Sequence, residues 1–139
     1  MYIIINADIW QIPQLKLGVL YRLGHGVEKN DVESVKWLTK AAEKGLTEAQ
    51  SCLGKTYFYG SGVEENYSQA QKWLSLAAAQ GDTDAQFYLG RMYRFGFGVE
   101  QNFEKAAELY KEAAKEGNSH AQCALGSAYY AGLGIEKDY

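Results

Sequence analysis

Apolar residues recur along this chain at the spacing of a helix face, and the same arrangement returns every 36 residues. In one pattern alanine, leucine and tyrosine stand at i, i+4 and i+8, as in Ala85, Leu89 and Tyr93, which places them on one helical face. In a second pattern Trp73 is followed at i+4 by Ala77. The alternation of the two patterns predicts a chain built from pairs of helices.

The two patterns together predict seven helices and no strand. The expected helices cover residues 13–23, 31–44, 48–59, 67–80, 84–95, 103–116 and 120–131. A glycine stands beside the apolar face of the first helix in each copy, at Gly18, Gly54, Gly90 and Gly126. Each costs about 1 kcal/mol against alanine in a helix. Its return in every copy therefore predicts a close helix crossing that a side chain would block.

Glycines and capping residues mark the helix ends. Gly-x-Gly pairs follow the first helices at residues 24–26, 60–62, 96–98 and 132–134, where positive φ is expected. The expected N-caps of the second helices are Asn30, Asn66, Asn102 and, in the last copy, Asp138. Thr47 and Gln50 have the spacing of a capping box, as do the residues at 83 and 86 and at 119 and 122. Asp82 and Asn118, one residue earlier, compete as N-caps.

A period of 36 residues is typical of a solenoid, in which each copy buries its apolar face against its neighbours. We expect one repeat domain at 13–139, with copies at 13–46, 47–82, 83–118 and, as a half copy, 119–139. Residues 1–12 stand outside the repeat and are interpreted as an atypical N-terminal cap, or as an expression artefact.

The pattern Ala-Gln-x-x-Leu-Gly-x-x-Tyr-x-x-Gly-x-Gly-Val, followed by Asn, Ala, Trp, Ala-Ala and Gly, resembles the Sel1-like repeats, a branch of the tetratricopeptide superfamily. The resemblance covers residues 13–139 and implies an all-α, right-handed α/α superhelical solenoid that serves as a protein-interaction scaffold. The chain departs from the pattern at Pro13, Leu46 and Leu109, which replace an alanine, a polar residue and a tryptophan. None of the three is expected to change the fold.

Composition and charge narrow the choice of partner. The 139 residues are 47% hydrophobic and 22% charged, which suits one globular core. A net charge of −3 leaves no surplus of basic residues to neutralise phosphates, so neither nucleic acid nor an anionic membrane is an expected partner. The longest apolar run, residues 2–5, is too short to span a bilayer, and the start lacks signal-peptide features. We therefore expect a cytoplasmic chain, or a periplasmic or secreted one if a signal peptide has been removed.

Few residues suggest chemistry. His120 and Cys123, at i and i+3, are the one nucleophile and base pair, and no third group in the sequence orients them, so no enzyme is expected. Two histidines and two cysteines match no metal template, and no cofactor is expected. Cys52 and Cys123 stand two copies apart and are predicted to be free, buried thiols.

Four glutamates form an acidic row along the second helix of the third copy: Glu104, Glu108, Glu112 and Glu116. Lys111 and Lys115 dilute its charge, so we interpret the row as a solvated outer face, with steering of a basic partner as the alternative.

In tetratricopeptide-like solenoids the first helix of each pair lines the concave surface. Carrying this register over gives the candidate groove residues Lys55, Phe58, Tyr59, Phe87, Arg91, Arg94, Phe95, Ser127 and Tyr130. Aromatic and arginine side chains are enriched at binding hot spots. For Phe58 and Phe87, completion of the core between copies is an equal alternative.

The basic residues of this groove predict its ligand. Lys55, Arg91 and Arg94 favour an extended protein or peptide segment with a carboxylate, from an acidic side chain or a free C-terminus. In the alternative, the arginines pair with Asp84 or Glu48 and stabilise the solenoid.

The function that we predict is therefore a protein–protein interaction scaffold that binds its partner in the concave groove. One alternative is a binder of cell-wall peptides or β-lactams, as some secreted proteins resembling this family are, although those have paired cysteines in each repeat, which this chain lacks. Another is a bacterial immunity or inhibitor protein. The last helix, with Leu125 and Tyr129, loses its usual cover where the chain stops, which predicts self-association through this end or a longer parent protein.

Overall fold

The structure is a computed structural model that describes residues 13–132, and all regular structure within them is helical. The helices are α1 (Gln14–Leu23), α2 (Asp31–Glu43), α3 (Thr47–Tyr59), α4 (Tyr67–Ala79), α5 (Thr83–Phe95), α6 (Phe103–Lys115) and α7 (Ser119–Ala131). Every predicted boundary lies within one residue of these, and the predicted all-α repeat solenoid is confirmed. The expected N-terminal cap at 1–12 and the positions of Gly134 and Asp138 lie outside the described residues.

The chain divides into two compact units, residues 1–73 and residues 74–139. In the first unit α1 packs against α2, and α2 packs against α3. In the second unit α5 packs against α6, and α6 packs against α7. Within each unit, then, helices that follow one another in the sequence are also in contact, as expected of a solenoid.

The core of the first unit is built from aliphatic side chains, one cysteine and one tryptophan ring. It contains Val35, Leu38, Ala41, Ala42, Ala49, Cys52, Leu53 and Trp73. At the crossing of α1 and α2, a Cβ placed on Gly18 would lie 2.7 Å from Cγ of Leu38. Beside it the Ser34 hydroxyl donates a 2.7 Å hydrogen bond to the Gly18 carbonyl. The close crossing predicted from the glycine is confirmed at this position.

The second unit has its close crossing at Gly90. A Cβ placed there would lie 2.5 Å from Cε1 of Tyr110, whose side chain is 1% exposed. At Gly126 an added Cβ meets no atom of the described residues within 4 Å. The prediction therefore holds for Gly18 and Gly90, whereas the second helix expected to cross at Gly126 falls outside the described residues and leaves the prediction untested there.

The asparagine N-caps are confirmed. The side-chain oxygens of Asn30, Asn66 and Asn102 accept hydrogen bonds from the backbone N–H three residues later, at 3.1, 3.1 and 3.0 Å.

The predicted positive φ after a first helix is found at the C-terminal end of α5. Gly96 has a φ of 70° and donates its N–H to the Met92 carbonyl. Glycine adopts this left-handed conformation without the Cβ clash that other residues suffer.

The capping-box interpretation is wrong. Asp82 and Asn118 are the N-caps of α5 and α7, and accept from the N–H groups of Ala85 and Ala121 at 2.8 and 2.9 Å. The glutamines that follow donate instead to carbonyl groups at the end of the preceding helix. These bonds join Gln50 to Ala42, Gln86 to Ala78 and Gln122 to Ala114, at 3.2, 3.4 and 3.2 Å. The reason is register: Thr47, Thr83 and Ser119 are already the first helical residues, so each glutamine stands one position too late for a box.

Leu109 does not take the buried place that Trp37 and Trp73 have in the earlier copies. The two indole side chains are 7% and 6% exposed, whereas Leu109 is half-buried. The next residue, Tyr110, occupies the position of Leu38 and forms the core contact with α5. The third copy thus has a larger side chain inside its core and a smaller one at its surface.

Candidate functional site

Five of the residues predicted for the groove lie together in one cleft of the second unit. The cleft has a volume of about 340 Å³ and is formed by α5, α6 and α7. We call it the arginine cleft, and its lining residues are Phe87, Arg91, Arg94, Phe95, Tyr110, His120, Cys123, Ala124 and Ser127. Helix α5 supplies both guanidinium groups, because Arg91 and Arg94 are one turn apart and face the same side.

The arginine side chains lie against aromatic rings. The guanidinium carbon of Arg91 is 5.9 Å from the centre of the Phe87 ring, and that of Arg94 is 5.2 Å from the Phe95 ring. The Phe87 ring also contacts the ring of His120, with centroids 5.5 Å apart. Contact with a ring restricts a long side chain and fixes the plane of its guanidinium group. The cleft therefore presents cationic donors beside apolar surface.

Tyr110 brings a buried hydroxyl to the arginine cleft. Burial raises the pKa of this hydroxyl, while the charges of Arg94 and Arg91 and a hydrogen bond from Arg94 act to lower it. The phenol is consequently neutral at physiological pH and offers Arg94 an oxygen acceptor that carries no charge. Arg94 is positioned by this contact without being neutralised.

The raised pKa of Tyr110 has a consequence for stability at high pH. Above about pH 10 the unfolded chain loses the Tyr110 proton before the folded chain does, so stability falls as pH rises. We expect Tyr110→Phe to cost about 1 kcal/mol near neutral pH, through loss of the hydrogen bond. The difference between wild type and variant should then shrink as pH rises through the Tyr110 pKa. Urea unfolding across that range measures it, and a difference that stays constant or grows would contradict the role given to this hydroxyl.

The remaining candidates have different outcomes. Lys55, Phe58 and Tyr59 belong to the first unit, where Lys55 is half-buried and Tyr59 is 54% exposed. Phe58 is 5% exposed and contacts the ring of Tyr67 with centroids 5.6 Å apart, so the core alternative is correct and its placement in the groove is wrong. Tyr130 is 88% exposed and does not line the arginine cleft.

His120 and Cys123 both lie in the arginine cleft. Both cysteines are free, and Cys52 is buried as predicted, whereas Cys123 is exposed. The prediction of a buried Cys123 fails because this face of α7 borders the cleft and not the helix-to-helix core. The two side chains line the cleft here, and the imidazole is tilted by 32° against the Phe87 ring.

Between residues 13 and 132, no group of three or more histidine, cysteine, aspartate or glutamate side chains is placed to hold a metal ion. In the same range, no helix combines the length and apolar character needed to cross a membrane. The glutamates of the acidic row, Glu104, Glu108, Glu112 and Glu116, are all exposed, in agreement with a solvated face.

Sequence reasoning missed four residues of the cleft, namely Tyr110, His120, Cys123 and Ala124. The signal for Tyr110 was present, since the two earlier copies have leucine at the same position, Leu38 and Leu74. A tyrosine there extends past the core, and its hydroxyl reaches the arginines.

The sequence and the fold of this chain are similar to those of known repeat proteins. The sequence model of the Sel1 repeat matches residues 14–46, 47–82, 83–118 and 119–139. The crystal structure of a Sel1 repeat protein from Oxalobacter formigenes is 37% identical, with a TM-score of 0.84 over 90% of this chain and 51% of that chain. A second crystal structure is that of c5321, a protective antigen present in uropathogenic Escherichia coli strains that displays an SLR fold. It is 41% identical, with a TM-score of 0.87 over 96% of this chain and 29% of that chain.

The chain therefore spans about half the length of the first of these proteins and less than a third of the second. No curated protein sequence matches it.

Proposed function

Because the chain belongs to the Sel1 repeat family, we propose that it binds a partner protein or peptide in the arginine cleft and recognises a carboxylate there. Sel1 repeat proteins generally mediate protein–protein interactions, and the repeat is a non-catalytic scaffold fold. The observation that carries the proposal is the pair Arg91 and Arg94, held one turn apart against Phe87 and Phe95.

Charge supports an anionic ligand. The chain has a net charge of −3, so two guanidinium groups in one cleft stand out against an acidic background. Carboxylates form short, charge-assisted hydrogen bonds with arginine, and each such bond contributes about 1.5–3 kcal/mol. An acidic side chain or the free C-terminus of the partner provides this group.

The apolar surface beside the two arginines favours a peptide over a free anion as the ligand. Phe95 is 51% exposed at the edge of the cleft, and the Phe97 ring lies 5.6 Å from it, centre to centre. Rings beside a charged group bury apolar area of the partner and lower the local dielectric, which strengthens the ionic contact. The ligand that we propose is an extended segment with an apolar side chain next to its carboxylate.

The proposal is tested first by affinity capture from the native lysate, with Arg91→Ala/Arg94→Ala as the control bait. A peptide mapped from the recovered protein is then compared with the same peptide whose carboxylate is converted to an amide. We expect the amide to bind at least tenfold more weakly, since about 1.5 kcal/mol or more is lost with the charge. Equal binding of the two peptides would contradict carboxylate recognition. Self-association, expected from the C-terminal end, stays a separate prediction for sedimentation.

A further inference from the structure

A second cleft of the second unit lies on a different side of α5 and shares no residue with the arginine cleft. It has a volume of about 390 Å³ and lies between the end of α4, α5 and α6. Leu89, Tyr93 and Leu109 are its large apolar side chains, and Lys105, Glu108 and Glu112 are its charged ones. We call it the leucine cleft. Its volume falls in the range of pockets that bind ligands.

The corresponding place in the first unit is filled by an indole ring. The 36-residue repeat makes Leu109 the counterpart of Trp73 and Leu89 the counterpart of Leu53. Trp73 belongs to the same buried cluster as Leu53 and Ala42 and is 6% exposed. The leucine cleft is therefore the space that a tryptophan occupies one repeat earlier.

Lysine ammonium groups lie over both indole rings of the earlier copies. Lys72 Nζ is 4.6 Å from the centre of the Trp73 ring, and Lys40 Nζ is 4.5 Å from that of Trp37. Each tryptophan is thus accompanied by a lysine one residue before it or three residues after it. Contacts of this type stabilise the covered ring.

The third copy reverses these charges where it loses the ring. Glu108 stands at the position of Lys72, and Glu112 stands at the position of Lys40. Both carboxylates are exposed at the rim of the leucine cleft. The third copy thus lacks an indole and its lysine and presents acidic groups in the place of the lysine.

One residue that lines the cleft has a buried acceptor without a partner among the described residues. Gln86 lines the cleft, and its buried Oε1 receives no hydrogen bond from any of residues 13–132. Buried acceptors in proteins are nearly always paired, so an unpaired one at a cleft marks a place for a donor. The N–H of an indole is such a donor. Because the tryptophan side chain has no acceptor, it brings no further polar group that needs a partner.

We propose that the leucine cleft binds a tryptophan side chain of a partner protein, in a segment where lysine or arginine stands next to the tryptophan. The indole fills the space that Trp73 fills in the first unit, and the basic residues meet Glu108 and Glu112. Charge complementarity at the rim sets the choice of partner, and the buried ring carries most of the affinity. This site is independent of the carboxylate ligand proposed for the arginine cleft.

The test uses the full chain and a fluorescein-labelled peptide with the sequence of residues 34–40, Ser-Val-Lys-Trp-Leu-Thr-Lys, in fluorescence anisotropy. We expect the wild-type chain to bind it. Replacing the tryptophan of the peptide by alanine should weaken binding about 30-fold or more, as for a tryptophan at a hot spot. Equal binding of the alanine peptide would overturn the proposal.

Variants of the protein separate the cleft from other surfaces. Leu109→Trp fills the leucine cleft from within and should weaken binding of the peptide about 30-fold. The melting temperature should stay the same or rise. Tyr130→Trp is the matched control, since it adds the same ring at an exposed position outside the cleft and should bind as wild type does. Retained binding by Leu109→Trp would overturn the proposal.

Charge exchange tests the choice of partner. Glu108→Lys/Glu112→Lys should weaken binding of the peptide about tenfold. A peptide with glutamates in place of both lysines should bind this variant with the lost affinity restored. Two other results would overturn the proposal. If N-acetyltryptophanamide binds as tightly as the peptide, the cleft is a small-molecule pocket. If the chain has no affinity for the peptide but self-associates, and Leu109→Trp abolishes this self-association, the occupant of the cleft is a second copy of the chain.

Discussion

Gly90→Leu should destabilise the protein by about 3 kcal/mol or more, despite the better helix propensity of leucine. A Cβ alone would lie 2.5 Å from the Tyr110 ring, and this side chain is 1% exposed. The two helices must therefore separate or the ring must leave the core. In thermal unfolding we expect the melting temperature to fall on the order of 10 °C.

The matched control is Gly126→Leu, at the same position of the last copy. No atom of residues 13–132 lies within 4 Å of its added Cβ, so we expect stability to stay the same or to rise by up to about 1 kcal/mol. If Gly90→Leu does not fold, Gly90→Ala gives a smaller change. Its cost should drop when Tyr110→Ala is combined with it, because the clash is then absent. A cost independent of Tyr110, or an unchanged melting temperature in Gly90→Leu, would show that the crossing is not tight.

Charge reversal in the arginine cleft should remove binding of the carboxylate segment. Arg91→Glu/Arg94→Glu replaces two donors by two acceptors and repels the ligand. Two charge-assisted hydrogen bonds contribute about 3 kcal/mol or more together, so we expect affinity to fall at least about 100-fold. The melting temperature should change little, since neither guanidinium is fully buried and a glutamate at 94 still offers the Tyr110 hydroxyl a hydrogen bond.

Net charge requires its own control. Lys111→Glu/Lys115→Glu changes the charge of the chain by the same amount on exposed positions of α6, and should leave binding within a few-fold of wild type. Titration calorimetry and thermal unfolding of both double variants separate the two interpretations. If the arginine variant loses stability while its folded fraction still binds, the arginines hold the solenoid together and are not the ligand site.

The repeat made the backbone predictable to within one residue. Each helix boundary had two or three in-phase copies to support it, and glycine and asparagine act at helix ends through local backbone geometry. The failures concern side chains whose direction depends on packing. Phe58 and Phe87 hold the same type of ring on first helices, yet Phe58 is 5% exposed in the core while Phe87 lines a cleft. No local rule distinguishes these two positions.

The site was predicted in part for the same reason. Arg91 and Arg94 were identifiable because a buried core has no use for a guanidinium group. Tyr110 stands where the earlier copies have Leu38 and Leu74, and the role of its hydroxyl depends on where α6 crosses α5. Exceptions to the repeat, Leu109 and Tyr110 among them, proved more informative about function than the repeated positions.

The amides of Gln50, Gln86 and Gln122 constrain how such a chain can change its length in evolution. Each amide joins residues eight apart across the turn between a second helix and the next first helix. An insertion in that turn would break the bond and leave a helix-end carbonyl unsatisfied. The Gly-x-Gly loops are spanned as well, since the backbone N–H groups of Asn30, Asn66 and Asn102 donate to the carbonyl groups of Tyr21, Tyr57 and Tyr93 at 2.9, 3.0 and 2.8 Å. Related chains should therefore keep both kinds of turn at a constant length, and should change length by gaining or losing whole copies of 36 residues.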